Sequence, residues 1–285
     1  MAGIGVLDGT STVSNFGRGK LEWSPEVWEK IDRHVCAELA RARVCTKFLP
    51  VVNGSIGASA RTVAADAFQS ADGTLSVPEG AELPLEERTV PFVLTKQQYE
   101  SEERLGTALT LATRAANRLA RDMDQTVFQD SPNGSLLQRA EEIGQVVDVP
   151  LLKRDQPGHY GEKAFEAVTT AYALLEGQGH YGPYALVSRF EPYADAHAPL
   201  ASTLIMPADR IRALMTAGYY GTGTLPEKRA VMVSTGGNTV DVAIAVDAVT
   251  AFTQVDEREV YCFRVYQRFT VRVKDPTALV LLQFA

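Results

Sequence analysis

Apolar residues along this chain recur at helical spacing in its first half and at strand spacing in its last third. Trp28, Ile31, Val35 and Leu39 follow one another at intervals of three and four. That places one apolar stripe on a helix, with Glu29, Lys30, Arg33 and Glu38 largely off it. Ser24-Pro25 supplies the start, a capping hydroxyl followed by proline at the first helical position. The stripe reads as core packing, and also as one wall of a groove for a partner peptide. Leu105, Leu109, Ala112, Ala116, Leu119, Met123 and Val127 carry the same periodicity through Glu102 to Gln129. They predict a continuous spine helix of roughly 40 Å at about 1.5 Å per residue. A further helix is predicted over 162–176, with Phe165, Val168, Tyr172 and Leu175 on one face, and another from Pro207 with Ile211, Leu214 and Met215 inward.

Strand patterns dominate the C-terminal third. Residues 184–188 and 230–234 are short apolar runs bounded by turn residues, and Val240, Val242, Ile244 and Val246 alternate with smaller or polar positions. Ser234-Thr235-Gly236-Gly237-Asn238 reads as a hairpin turn, because glycine and asparagine tolerate positive φ. Over 259–273, Tyr261, Phe263, Val265, Phe269, Val271 and Val273 take one face of a long strand, while Arg264, Arg268 and Arg272 form a ladder on the other. Such arginines are either solvated or set to meet acidic groups across a subunit boundary, where the planar guanidinium fork is favoured. Residues 278–284 close the chain with a buried strand after the turn at Asp275-Pro276. The order of elements is α+β.

Between these regions, residues 53–89 are rich in serine, glycine and alanine and cannot carry a core of their own. A stretch that long is disordered or functional, and the period-two fragment Leu75, Val77 suits an extended hairpin resting on a neighbouring molecule. Asp72-Gly73 marks its tip.

Composition narrows the function by exclusion. Lys and Arg total 28 against 35 Asp and Glu, a formal charge of −7, which argues against a broadly basic nucleic-acid face. No apolar run approaches the roughly 18 residues of a membrane helix, and the first twenty residues lack the basic and apolar regions of a secretion signal. A soluble cytoplasmic protein is expected. Cys36, Cys45 and Cys262 are too scattered for a disulfide framework or a cysteine-ligated zinc, and His34, His159, His180 and His197 show no i, i+4 pair, so no metal site is expected. Gly17-Arg18-Gly19-Lys20 resembles a phosphate loop, but Leu21 stands where Ser or Thr would hold magnesium. No hydrolase elbow or metalloprotease motif occurs, and the acid pairs Glu102-Glu103 and Glu141-Glu142 read as solvated faces. No catalytic residue is identified.

An ordered set of segments from residue 24 to 284 resembles the encapsulin shell proteins of bacterial and archaeal nanocompartments. These are Trp28-Glu29-Lys30-Ile31-Asp32, then Val90-Pro91-Phe92-Val93-Leu94 followed by the spine through Asp124 and Val127-Phe128. Gly182-Pro183-Tyr184-Ala185-Leu186-Val187, Val233 to Asn238, Phe269-Thr270-Val271 and Pro276 to Phe284 complete the set. The resemblance implies the Hong Kong 97-type fold of tailed-phage capsid proteins. It divides the chain into an N-terminal arm and interior helix (1–52), an extended loop (53–89), a peripheral domain with the spine (90–147), an axial domain (148–228) and peripheral strands (229–285).

By the same resemblance the chain is a non-enzymatic, self-assembling icosahedral shell protein. It would enclose a cargo enzyme, such as a peroxidase, a ferritin-like or a hemerythrin-like protein, recruited through a C-terminal targeting peptide. Trp28, Ile31, Asp32 and Val35 would bind that peptide. Tyr193, Asp195 and His197 would form an axial loop at a pore that admits small solutes, and Asp72, Gly73, Arg264, Arg268 and Arg272 would lie at subunit interfaces. Some members bind flavin beside a tryptophan on the strand after the loop. Here the tryptophans are Trp23 and Trp28, so no cofactor is expected. The chain also departs from the family in lacking a Gly-Pro-x-Gly-Trp turn after Arg43 and in its longer N-terminal tail. The alternatives are a phage head protein of the same fold and, on no local motif, an uncharacterised enzyme.

Overall fold

A computed structural model of the chain describes residues 16–72, 74–153, 159–199 and 205–285. The first apolar stripe folds as expected. Helix α1 runs Pro25–Ala42, with Trp28, Ile31, Val35 and Leu39 buried and Pro25 at the first turn. The Ser24 side chain makes no capping bond, and its carbonyl instead accepts from the Val27 N–H. After α1 the chain makes a two-residue strand β1 (Val51–Val52) and enters the arm.

The arm is a two-tiered hairpin, the extended form of the two readings. Strand β2 (Thr62–Ala64) pairs with β5 (Glu82–Pro84) near the base, and β3 (Gln69–Ala71) with β4 (Thr74–Ser76) near the tip. Neither tier has a second layer, so Phe68, Leu75 and Val77 remain 40%, 70% and 53% exposed. Strand β6 (Glu86–Thr95) carries the chain back into the body.

The predicted continuous spine is interrupted. After α2 (Lys96–Glu100), helix α3 (Glu102–Leu105) stops at Gly106, whose φ of 61° is left-handed, and α4 (Thr107–Gln125) starts afresh. Nineteen residues give α4 about 29 Å, shorter than the expected spine. Apolar spacing runs unbroken through Gly106, which is why periodicity alone misses the break. The new N-terminus needs acceptors, and Glu102 supplies them by folding back to accept from Ala108 N (2.7 Å) and Leu109 N (3.0 Å). Glu102 is therefore buried, at 5% exposure, and not part of a solvated acid pair. A wider five-residue turn over Thr126–Asp130 ends the spine, and α5 (Leu136–Glu142) follows with a Ser135/Gln138 capping box.

Two sheets organise the rest. Strand β7 (Val146–Val149), helix α6 (Glu162–Gly177), β8 (Tyr184–Arg189), α7 (Phe190–Ala196), α8 (Pro207–Leu214), β9 (Gly218–Thr222) and β10 (Arg229–Ser234) come first. Two long strands, β11 (Val240–Val255) and β12 (Val260–Val273), precede the final β13 (Leu279–Phe284). One sheet has the order β7-β13-β10-β8-β9 and the other β1-β11-β12-β6. Strands β10 and β13 thus complete the sheet that carries α6, α7 and α8, across the boundary drawn at residue 228. Ser234–Asn238 is consequently not a hairpin turn: β10 pairs with β8 and β13, whereas β11 belongs to the other sheet. The segment is a crossing between sheets. Its Gly236 passes so close to Gly182 that an added Cβ would lie 2.1 Å from the Gly182 carbonyl oxygen. Where the sheets meet, Val231, Val233, Leu279 and Leu281 pack with Val242, Ile244, Phe269, Val271 and the spine's Met123 and Val127.

The base of the arm is fixed to β12. Arg272 is buried and bidentate to Asp241 (both contacts 2.7 Å), and its remaining donors hold the Ala64 carbonyl (3.0 Å) and Asp66. Lys274 also reaches Asp241 (2.7 Å), so one carboxylate at 1% exposure faces two buried cations. Arg268 donates to the carbonyls of Ala58 and Ala60 (each 3.2 Å) and pairs with Glu87 (2.6 Å). Asn133 grips the Pro84 carbonyl (2.9 Å) from the other side.

Two contrasts test these assignments by chemical denaturation of the subunit. Glu102→Ala strands two backbone N–H groups and is expected to cost about 1–3 kcal/mol, whereas Glu103→Ala, on an exposed neighbour, stays within about 0.5 kcal/mol. Asp241→Ala leaves two buried cations without their anion and is expected to cost about 3–5 kcal/mol. Asp66→Ala removes a partner that is 43% exposed and costs less than about 1 kcal/mol.

Candidate functional site

Helix α1 lies along α4 with its apolar stripe turned inward. Ile31 is 1% exposed and Val35 0%, both packed among Ala112, Ala116, Leu119 and Val265. Val35 therefore has no surface to offer a peptide, and Ile31 offers only its edge. A helix that spends its apolar face on its own spine exposes the flanks of that face and not its centre.

The N-terminal segment covers a second part of the same helix. Arg18 is bidentate to Asp32 (2.7 and 2.8 Å), donates to the Thr250 carbonyl, and sits 4.5 Å over the Trp28 ring. Trp23 stacks on Phe263 (5.3 Å, 10° between planes) and on Tyr99, with its indole N–H donated to the Tyr99 carbonyl. Two of the four residues singled out from the sequence, Trp28 and Asp32, are thus already partnered within the subunit. They line a shallow hollow with Arg18, Leu21 and Trp23.

What remains open is a groove between the starts of α1 and α4. A cavity of about 240 Å³ is lined by Ser24, Glu26, Val27, Lys30, Ile31, Glu102, Glu103, Gly106 and Leu109. It adjoins a second of about 290 Å³, bounded by Glu22, Trp23, Tyr99 and Glu100 and sharing Ser24, Glu102 and Glu103. Of the residues named from sequence only Ile31 reaches it. The signal that could have found it is Val27, an apolar residue one position off the stripe and one turn before Ile31, facing Leu109 across the break at Gly106. The Ser24 hydroxyl bonded to Glu26 holds that exposed carboxyl below the usual carboxylate range.

The remaining candidates fall elsewhere. Asp72 lies exposed in the turn at the tip of the arm, with φ of 51°, and Gly73 lies outside the described residues. Arg264 is the most open of the ladder, 3.4 Å from Glu87 and stacked over the Tyr266 ring at 4.6 Å. Arg268 and Arg272 are occupied inside the chain by the arm base. Two rungs of the ladder are therefore taken up within the subunit, and Arg264 alone keeps an open edge.

Tyr193, Asp195 and His197 belong to helix α7 and its C-terminus and not to an open loop. Asp195, its side chain 8% exposed, accepts from Tyr160 N (2.8 Å) and Gly161 N (3.0 Å) at the start of α6, with His159 3.1 Å away. His197 donates from Nδ1 to the Tyr193 carbonyl (2.7 Å) and accepts at Nε2 from Arg212 (2.6 Å), as a neutral ring. The Tyr193 ring packs on Tyr219. Through Asp195 and His197 these side chains join α7 to the start of α6 and to α8.

Burial also raises the Asp124 carboxyl, against hydrogen bonds from the backbone N–H groups of Cys45 and Val44 that pull it down. It caps the short turn over Cys45–Lys47. Among the described residues no group of three or more His, Cys, Asp or Glu could hold a metal ion, and no helix is long and apolar enough to cross a membrane.

Comparison with known proteins agrees with this architecture. The family model described as an encapsulating protein for peroxidase matches residues 13–270. The type 1 encapsulin shell protein of Myxococcus xanthus is 27% identical over 274 residues, 91% of this chain and 93% of that protein. Among solved structures, the virus-like particle from Pyrococcus furiosus superposes with a TM-score of 0.70 at 20% identity, over 90% of this chain and all of the other. The holo encapsulin complex from Synechococcus elongatus gives 0.59 at 11% identity, covering 84% and 86%, and the protein of Mycobacterium phage Bobi 0.59 at 18%, covering 87% and 90%. The structures share the phage-capsid fold, the family match spans nearly the whole sequence, and the chain belongs to the encapsulin family of shell proteins.

Proposed function

We propose that this chain assembles with copies of itself into a closed shell that encloses a cargo enzyme, with a peptide segment of the cargo held in the groove beside α1. The observation that carries the reading is the arm. It projects as a single layer, fixed at its base by buried charges, and leaves Phe68, Leu75 and Val77 in water. Burial is worth about 25 cal/mol per Å² of apolar surface, so a neighbouring copy lying across the arm gains what the isolated subunit forgoes. Asp72 at the tip, and Arg264 through its open edge, contact that neighbour. Arg268 and Arg272 act at the interface indirectly, by setting the direction in which the arm leaves the body.

The helices α6, α7 and α8 cover one face of the five-stranded sheet, and in the assembled shell this part surrounds the pores through which small solutes pass. Tyr193, Asp195 and His197 keep those helices together beside the opening. A peroxidase is a cargo consistent with the family description. The peptide contacts expected at Trp28, Ile31, Asp32 and Val35 move to the flank of α1, at Val27, Ile31 and Leu109. The chain supplies a container, and the chemistry resides in what it encloses.

Leu75→Asp combined with Val77→Asp tests the arm. The double variant is expected to keep the circular dichroism and unfolding midpoint of a folded subunit. It should elute as small oligomers in size exclusion and show no shells in negative stain, where the unaltered chain forms closed particles. Shells of ordinary number and thermal stability from the variant would refute the role of the arm. A solitary unaltered chain over a range of salt and concentration would refute the shell itself.

A further inference from the structure

The exposed residues of α4 all lie in one row: Thr110, Arg114, Arg118, Arg121 and Gln125, at spacings of four, four, three and four. Such spacing puts them on a single helix face, the one turned away from the core. The row carries three guanidinium groups and no carboxylate. Among the described residues none of the three arginine side chains has a hydrogen bond or an ion pair. Arginine elsewhere in the chain is regularly matched, as Arg210 is by Glu162 and Arg229 by Glu141.

The row leads to a cleft of about 590 Å³. Arg121, Asn117 and Arg41 of α1 line it on the helical side, and residues 221–224 at the end of β9 line it on the other, with Phe190 among the lining side chains. The Phe190 ring lies against Gly223, where an added Cβ would fall 3.1 Å from it, and is still 57% exposed. One side of the ring thus rests on main chain and the rest is open to water. The neighbouring acids are engaged: Glu38 accepts from Arg41 and Asn117, and the buried Asp124 accepts from the N–H groups of Val44 and Cys45. We propose that this face binds a single strand of nucleic acid, its phosphates along Arg114, Arg118, Arg121 and Arg41 and a base stacked on Phe190.

Like charges three and four residues apart on a helix repel one another, and a linear polyanion relieves that repulsion at every step. The planar guanidinium fork matches phosphate in a bidentate manner. At about 1.5 Å per residue the three forks follow one another at roughly 6 and 4.5 Å along the axis, an extended track and not a point site. Carboxylates of an acidic peptide would satisfy the forks, but they gain nothing from the open ring, whereas every nucleobase has a face to stack on it. That base must be free of a pairing partner, which selects a single strand over a duplex. The formal charge of −7 denies the chain a broad basic surface, so binding is local and steeply dependent on salt. Lys30 lines the groove beside α1 and Arg41 lines the cleft, eleven residues and so about three turns apart on one helix face. Groove and cleft therefore open on the same side of the subunit. The proposed function puts that side within the shell, but the binding itself does not rest on that reading.

The test uses the full-length chain with Leu75→Asp and Val77→Asp in the arm, which keep the face accessible in solution, and a fluorescein-labelled 12-nucleotide oligothymidylate. If shells form despite those changes, the oligonucleotide is added before assembly and its retention after nuclease digestion is read instead. Fluorescence anisotropy is expected to show binding at 50 mM NaCl that weakens about a hundredfold at 500 mM, as three neutralised phosphates would give. Adding Arg114→Gln, Arg118→Gln and Arg121→Gln should weaken binding at 50 mM by at least tenfold and flatten the salt dependence. Arg61→Gln with Arg258→Gln, two exposed arginines elsewhere on the chain, should change neither. Phe190→Ala should weaken the oligothymidylate about tenfold and leave an abasic 12-mer unchanged. Absence of binding at 50 mM, or binding untouched by the triple glutamine variant, would overturn the site. Equal competition by a 12-residue oligoglutamate, or no effect of Phe190→Ala, would overturn its assignment to nucleic acid. None of these results touches shell formation, which size exclusion of the unaltered chain reads separately.

Discussion

Everything distinctive about this subunit depends on a buried charge, the Asp241 carboxylate with Arg272 and Lys274 upon it. An ion group this deep adds little net stability, because desolvation consumes most of the Coulombic gain. What it provides is direction. Arg272 spends two donors on Asp241 inside the sheet and keeps the rest for the arm, where it holds the Ala64 carbonyl and Asp66. Arg268 and Asn133 grip three more carbonyls of the same strip. Because backbone carbonyls are what is held, the arm's base is placed by main chain and not by side chains that could swing. A hairpin with no second layer would otherwise explore many orientations, and each would have to be lost again on meeting a neighbour.

This arrangement explains why strands β11 and β12 are so long. Each sheet needs only five or six residues per strand to close its core, yet β11 has sixteen and β12 fourteen. Their one end packs with the spine and the five-stranded sheet, through Val242, Phe269 and Val271. Their other end packs under α1, through Phe252 and Phe263. The same two strands therefore connect the arm base, the α1 face and the five-stranded sheet. Register shifts along the β11–β12 pair let it bend between these tasks without losing its pairing.

How much of this was legible in the sequence depended on the range of the interaction. Local periodicity found α1, β12 and the final strand almost to the residue, since their burial follows directly from side-chain spacing. It also found the arm, by the absence of apolar residues. It ran the spine through Gly106 because Leu105 and Leu109 keep helical spacing on both sides of a residue whose backbone is left-handed. Ser234 to Asn238 looked like a hairpin turn because turn chemistry is local, whereas the sheet each flanking strand joins is decided by partners elsewhere in the chain, β8 and β13 for β10 and β12 for β11. The apolar stripe of α1 was correctly read as amphipathic. A count of faces shows what the stripe can offer: Val35 is wholly taken up by the spine, and Ile31 keeps only an edge at the groove. Glu102 was invisible for the opposite reason, since an exposed-looking acid becomes buried only when the helix it caps starts five residues later.

Two kinds of surface then remain outside the core, and their physics differs. The arm carries isolated exposed apolar side chains, Phe68, Leu75 and Val77, suited to contacts in which the area buried matters. The α1 groove has a small apolar floor inside a charged rim, suited to an occupant that must be distinguished from other chains and held by modest energy. A shell needs both properties at once. If the arm were selective by charge, assembly would follow ionic strength. If the groove were merely apolar, any exposed hydrophobic tail would fill it. With the apolar arm and the rimmed groove on separate faces of one subunit, the two kinds of contact do not compete for the same residues.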